Sequence, residues 1–380
     1  MGQLEGELSA VLAKMSPPNI AVIGRTGAGK STLINQVFGA ELAKTGTGLP
    51  VSDAFIRYPK SLEEKPLVVV YDSAGYEMGK EIMFRSCVVK FIQDKKLHEI
   101  EEHIHLVWYV IHAGLKRFEH FDAEIISLLR SERVPVIIIL SQSDLARADE
   151  IASLEETIKN YRDAYKLDEL TICKIAANPI IGEQFGVSGL VEHSSSLLPE
   201  LYTEAFIARQ VADLQLKKKM ATRYVRNAAA ACFGTGFIPI PNTTPAAAIA
   251  SQTYLCTKIA SLYGHQGEWV KILDKAGAVT IASMLTVAIT WFLDLFSTLL
   301  PPANPITGSI SGGTAATYIT IIGMTYTSVF EKLSLKDLTG SECEDIERYI
   351  RKTFEEEFKK NLKLRIWSEK DLDKIDRTAK

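Results

Sequence analysis

The stretch "NIAVIGRTGAGKSTLINQVFG", residues 19–39, decides the fold. Ile20 to Ile23 form an apolar run of strand length, and from Lys30 onward apolar residues return at helical spacing. Between them lies Gly24-x4-Gly29-Lys30-Ser31. Glycines in such a turn let backbone N–H groups converge on an anion, the following helix N-terminus adds positive potential, and a lysine neutralises the outer oxygens. The reading is a strand, then a phosphate-binding loop of Gly24, Arg25, Thr26, Gly27, Ala28 and Gly29, then a helix opened by Lys30, Ser31 and Thr32. The Ser31 hydroxyl is the expected magnesium ligand. Arg25 has a phosphate or a facing subunit within reach, but reads more simply as a solvent-exposed loop arginine.

Downstream, "LVVVYDSAG" is a buried strand ending at Asp72, with a small turn to Gly75. After a phosphate loop, an aspartate there holds magnesium through water, and the glycine N–H senses the terminal phosphate. Between the two motifs, "TGTGLPVSDAFIRYP" reads as a glycine-rich connection followed by an edge strand. Ser52 is the preferred switch hydroxyl for magnesium because it immediately precedes that strand; Thr45 and Thr47 compete. Strands "HLVWYVIH", "VPVIIIL" and "LTICKIAAN" then alternate with helices "FEHFDAEIISLLRS" and "DEIASLEETIKNYRDAYK". Such alternation implies an α/β fold with a mainly parallel sheet covered on both faces. Ligands bind at the carboxyl ends of its strands, and "LSQSD", residues 140–144, stands at one of them.

In four ordered motifs, "GRTGAGKS", "PVS", "DSAG" and "SQSD", residues 19 to about 200 resemble a translation-factor-class GTPase, closest to the Era, septin and immunity-related branch. The resemblance implies GTP and GDP as ligands, Mg2+ as cofactor, and slow hydrolysis in which Lys30, Ser52 and Gly75 act on the transferred phosphate. It makes Asp144 the acceptor for the guanine N1 and N2 groups, which adenine cannot satisfy. Ser141 stands where the family has Asn or Thr, and Gln142 where it has a lysine whose stem lies along the base. The departure implies weaker affinity with selectivity kept. "IAAN" replaces the usual Ser-Ala element and leaves the Ala177 backbone to touch the guanine oxygen. Tyr76 follows Gly75 where some relatives place a water-orienting glutamine. Catalysis then needs a partner, a second copy across the nucleotide, or a switch residue.

The charges, 43 basic against 46 acidic, leave a net −3, so no global field marks a nucleic-acid partner and none is expected. Cys87, Cys173, Cys232, Cys256 and Cys343 lack CxxC spacing and suggest reduced thiols in a cytoplasmic setting. The start "MGQLEGELSAVLAKMSPPN" lacks the pattern of a secretory leader. His98, His103, His105, His112 and His120 cluster in sequence, but without a coordinating pattern they read as strand-end and loop residues.

Composition changes near residue 200. A long amphipathic helix over "LYTEAFIARQVADLQLKKKMATRYVRN" ends in the basic cluster Lys217, Lys218, Lys219, Arg223 and Arg226. Residues 227–257 carry no charge, and between Lys275 and Glu331 only Asp294 does. Pro239, Pro241 and Pro245 must interrupt any helix there. Residues 276–300 are long enough to cross a hydrocarbon core, and after "PPANP" a second uncharged stretch of similar length follows, so a membrane hairpin and a buried soluble bundle are both open. The run "AAAACFGTGFIPIPNTTPAAAIASQ" resembles a hydrophobic helical domain of unknown function that bacteria attach to Era-like GTPases. Membrane lipid is the partner it implies, and a homodimer through the GTPase face is a further expectation. "GSECEDIERYIRKTFEEEFKKNLKLRIW" reads as an amphipathic helix capped by Ser341 and Glu344, packing on the GTPase or on the linker helix. The expected organisation is an N-terminal arm, 1–18; a GTPase domain, 19–200; a hydrophobic, membrane-associated helical domain, 201–340; and a charged helix, 341–380.

Overall fold

The structure, a computed structural model, describes residues 8, 10–39, 42, 49–52, 55–59, 66–76, 79–168, 170–234, 245–263, 312–336, 343–366 and 368–377. The chain divides into two compact units, Met15–Asp213, and Met1–Lys14 with Leu214–Lys380.

The first unit is an α/β/α layer structure on a seven-stranded sheet of order β2-β3-β4-β1-β5-β6-β7. Five strands run parallel: β1 (Asn19–Gly24), β4 (Val69–Ser73), β5 (Leu106–His112), β6 (Val136–Ser141) and β7 (Thr171–Lys174). Where the sequence suggested one edge strand there are two, β2 (Leu49–Ser52) and β3 (Phe55–Tyr58), paired antiparallel. Only two residues separate Ser52 from Phe55, and so short a link permits nothing but a hairpin.

Side chains of the central strands alternate between two covered faces. Ala21, Ile23, Val107, Tyr109, Ile138 and Leu140 enter a core with α2 (Glu81–Lys96), α3 (His120–Ser131) and α4 (Ala148–Ala164). On the other face lie α1 (Lys30–Phe38), α5 (Val187–Leu197) and α6 (Glu200–Arg209). There Phe38 stacks on Trp108 with centroids 5.7 Å apart and meets Phe206 edge-on, while the Trp108 indole N–H donates to Ser194. The last turn of α1 also receives the chain as it leaves the unit. The Val211 N–H donates to the Val37 carbonyl at 2.8 Å, and the Arg209 guanidinium donates to the Phe38 carbonyl.

That exit corrects the expectation of one long helix over residues 201–227. α6 stops at Arg209 and α7 (Leu214–Gly234) starts afresh. Gln210 is wholly buried; its amide donates to the Asp213 carbonyl and its side-chain oxygen accepts the Asp213 N–H, both at 2.8 Å. With Val211 N–H spent on α1, the helical i−4 ladder cannot continue.

The second unit is helical: α7, α8 (Pro245–Tyr263), α9 (Gly312–Leu335) and α10 (Cys343–Asn361) are its long elements among the described residues. α9 packs against the other three. Its residues 316–327 are all buried, and at Gly323 a Cβ would stand 2.5 Å from Val225, so only glycine lets α7 come this close. Thr320, Thr325 and Thr327 return their hydroxyls to the carbonyls four residues back, which satisfies them inside an apolar core. α10 lays Ile350, Phe354 and Phe358 against this core, with its apolar face on α9. The basic cluster is also divided. Lys217 is buried and donates to the Leu262 carbonyl, Lys218 pairs with Glu331 at 3.3 Å, and Arg226 pairs with Asp376 at 3.2 Å. No helix among the described residues is long and apolar enough to cross a membrane. α9, the second arm of the suggested hairpin, is the bundle's core; the first arm, 276–300, and the Ser341 cap lie outside the described residues.

Candidate functional site

The phosphate loop leaves β1 at Gly24 and enters α1 at Lys30, as its sequence requires. The Lys30 ammonium is buried and donates to the Gly24 and Arg25 carbonyls at 3.2 and 3.1 Å, folding back over the loop. The Ser31 hydroxyl donates to Asp72 Oδ2 at 3.0 Å. Asp72 Oδ1 is buried and has no partner. Burial lowers the Lys30 pKa against the pull of Asp72; burial likewise raises that of Asp72 against Lys30 and Ser31. Each charge is thus held at a cost that a phosphate or a cation would relieve. Gly24, Lys30, Ser31 and Asp72 come together as the motif spacing predicts. An orphaned carboxylate oxygen beside a hydroxyl is a donor set that fits Mg2+.

Gly75 lies against the loop in a left-handed conformation, φ +80°; a Cβ there would stand 2.8 Å from the Thr26 nitrogen. Thr26 N–H donates to the Tyr76 carbonyl at 3.3 Å, so the loop and the turn after β4 are in direct contact. Ser52 closes β2 opposite Phe55, with its side chain outside the described residues, as are Thr45 and Thr47.

Arg25 is the clearest correction. Its side chain is 19% exposed, pairs with Glu119, donates from Nε to the Tyr76 hydroxyl at 3.1 Å, and lies 5.1 Å from the centre of the Tyr76 ring. It is a packed residue because Asp122, 2% exposed, stands behind it. Asp122 Oδ1 accepts the hydroxyls of Tyr76 and Tyr109 at 2.5 and 2.7 Å, and Oδ2 accepts the Glu119 N–H at 2.8 Å. Burial and the Asp122 charge both push the phenols of Tyr76 and Tyr109 upward, so they remain neutral donors. Sequence reading passed over this network, because the capping box that Glu119 and Asp122 form has its acidic residues in an unusual order, Glu at the cap and Asp three residues on.

The second half of the site surrounds a cleft lined by Gly29, Thr32, Ser141, Gln142, Asp144, Ala177 and Ile180. Ser141, expected to contact the nucleotide, spends its hydroxyl on the Ala28 and Ile111 carbonyls at 2.7 and 3.1 Å and so staples the phosphate loop to β5 and β6. Gln142 adopts φ +51° and brings its amide over Gly29. Asp144 Oδ2 accepts the N–H groups of Ile180 and Ile181, and Oδ1 is buried without a partner. Among the histidines, His105 Nδ1 accepts the Asn19 N–H at 2.9 Å and Nε2 faces the Ile100 carbonyl, while His103 faces His98 and His120 faces Tyr165.

Residues 19–142 match the protein family described as "50S ribosome-binding GTPase". GTPase Era of Geobacter metallireducens is 29% identical over 181 residues, 48% of this chain and 55% of that protein. GTPase Der of Sulfurimonas denitrificans is 30% identical over 39% of this chain and 28% of its own length, and the probable GTP-binding protein EngB of Aquifex aeolicus 25% identical over 38% and 76%. The chain spans a little over half the length of the Era proteins it matches. By its site geometry and by these matches, the N-terminal half of the chain is similar to the P-loop GTPase domains of Era, Der and EngB.

Proposed function

We propose that the chain binds guanine nucleotide with Mg2+, hydrolyses GTP slowly, and acts as a switch on its helical unit. The observation that carries this is the pair of orphaned, buried carboxylate oxygens on one sheet, Asp72 Oδ1 in β4 and Asp144 Oδ1 just after β6. Two uncompensated acceptors at the ends of parallel strands are costly in an empty protein, and a nucleotide with its cation would satisfy both. Ser31 and Asp72 would hold the cation, which when bound neutralises charge on the phosphates. Lys30 and the loop amides hold the phosphates, Asp144 accepts from guanine, and the Ala177 backbone meets the guanine oxygen. With Tyr76 after Gly75, no side chain there orients water, so the intrinsic rate is low and a partner or second copy completes catalysis.

Titration of the full-length protein with fluorescent GDP and ADP, with and without Mg2+, tests the reading. Preference for GDP that strengthens with Mg2+ supports it; equal binding of both, or none, ends it. Single-turnover GTP cleavage as a function of protein concentration then tests the second-copy requirement. Membrane association is a proposal resting on the apolar sequence of residues 276–300, and co-flotation with anionic liposomes tests it. The family description adds a ribosomal partner as an alternative destination, read by co-sedimentation with 50S particles.

A further inference from the structure

We propose that the backbone amides of Ile180 and Ile181 are the positioning groups of the base pocket, fixing the Asp144 carboxylate so that one oxygen is presented to guanine. This deepens the guanine reading and rests on it. Asp144 begins in a single-turn element, Ser143–Leu145, after the left-handed Gln142, and among the described residues no side chain hydrogen-bonds its carboxylate. Left alone, a short carboxylate there would rotate between rotamers. The two amides, at 2.9 and 3.4 Å, both fall on Oδ2. Oδ1 is left buried and without a partner in the cleft that Gly29, Gln142, Ala177 and Ile180 line. An acceptor held without a partner is the arrangement that rewards an incoming N–H donor most, because binding removes a desolvation cost already present.

The loop that supplies the amides is built for the purpose. It is pinned at its ends by the Ala176–Phe185 bridge, in which each residue's N–H donates to the other's carbonyl, and by Gly186, whose φ of +81° and approach to the Lys174 carbonyl exclude a side chain. Ile180 and Ile181 are 79% and 65% exposed. They contribute little to the core, and what these positions give the Asp144 carboxylate is main chain.

Two substitutions separate these roles. Ile180→Pro removes the stronger donor at an exposed position with no left-handed φ; Ile180→Ala keeps it. With GDP and ADP as probes on the full-length protein, Ile180→Pro is expected to weaken GDP binding about tenfold, as loss of one charge-assisted hydrogen bond implies, and to leave ADP binding unchanged. Ile180→Ala trims a side chain that lines the cleft for either base, and is expected to keep the wild-type ratio of GDP to ADP affinity. Binding of inorganic pyrophosphate, which reports the phosphate half alone, should be equal in all three and shows that the fold is intact. An unchanged GDP to ADP ratio in Ile180→Pro, or an equal fall of that ratio in Ile180→Ala, overturns the positioning role while the guanine reading stands. A wild type with no preference for GDP overturns both.

Discussion

At the scale of single residues, the site is an account of which polar atoms are satisfied. Asp72 and Lys30 are both shifted toward neutrality by burial, so each depends on what binds. Lys30→Ala is expected to reduce GTP affinity by about 100-fold or more, and Asp72→Asn to remove most of the Mg2+ dependence; both are read by nucleotide titration with and without the cation. Asp122 behaves differently, since two tyrosine hydroxyls, a helix N-terminus and Arg25 all converge on it. Tyr76→Phe removes one of several donors and should cost about 1 kcal/mol, whereas Asp122→Ala strands the rest and should cost about 3 kcal/mol or more, measured by urea denaturation. The proximity of Lys30, Ser31 and Asp72 was legible because a phosphate loop needs one residue type at each spacing. The protein partners of Ser141 and Arg25 were not, because a hydroxyl or guanidinium in a loop has the same sequence signal whatever it faces.

At the scale of elements, alternation and length identified the five parallel strands and their helices, since buried parallel strands are near-continuous apolar runs. The break at Gln210 escaped notice: a glutamine among helix-forming residues announces nothing, and what stops the helix is a carbonyl at the far end of α1. Gln210→Ala should cost about 1–2 kcal/mol by removing both bonds to Asp213, with the loss seen as a lower thermal midpoint. His105 provides a pH test at the start of β5. Burial is the main cause that pulls its pKa down to about 4, and its Nδ1 accepts the Asn19 N–H, so the ring is neutral in the folded chain. The unfolded chain takes up the proton near pH 6.5, hence stability is full above that value and is lost as pH falls toward 4. His105→Gln should flatten that part of a stability against pH profile.

At the scale of the whole molecule, the division at residues 213 and 214 separates two cores of different kinds, a sheet covered by helices and a helical bundle. Residues 15–213 contain every candidate nucleotide contact and a complete apolar interior. Expressed alone, they should unfold in a single cooperative transition and bind GDP with the affinity of the full chain; a molten product would show that the sheet unit is not self-sufficient. In the bundle, Phe354→Ala should cost about 3–5 kcal/mol through the cavity left against Tyr326 and Phe358, and leave GDP affinity unchanged. The composition of residues 316–330, apolar with small and hydroxylated residues, suits a lipid-facing helix as well as a buried one. Sequence alone could not separate the two because the difference lies in what surrounds the helix.

α1 begins with Lys30 and Ser31 of the phosphate loop and, nine residues long, ends with the two carbonyls that accept from Val211 and Arg209. A helix of that length is a stiff strut of about 13 Å. Whatever tilt or slide a phosphate bound at the loop would impose on its first turn is therefore passed, without any flexible link, to Val211, two residues short of the last residue of the unit. The phosphate loop and the departing chain hold opposite ends of the same rod.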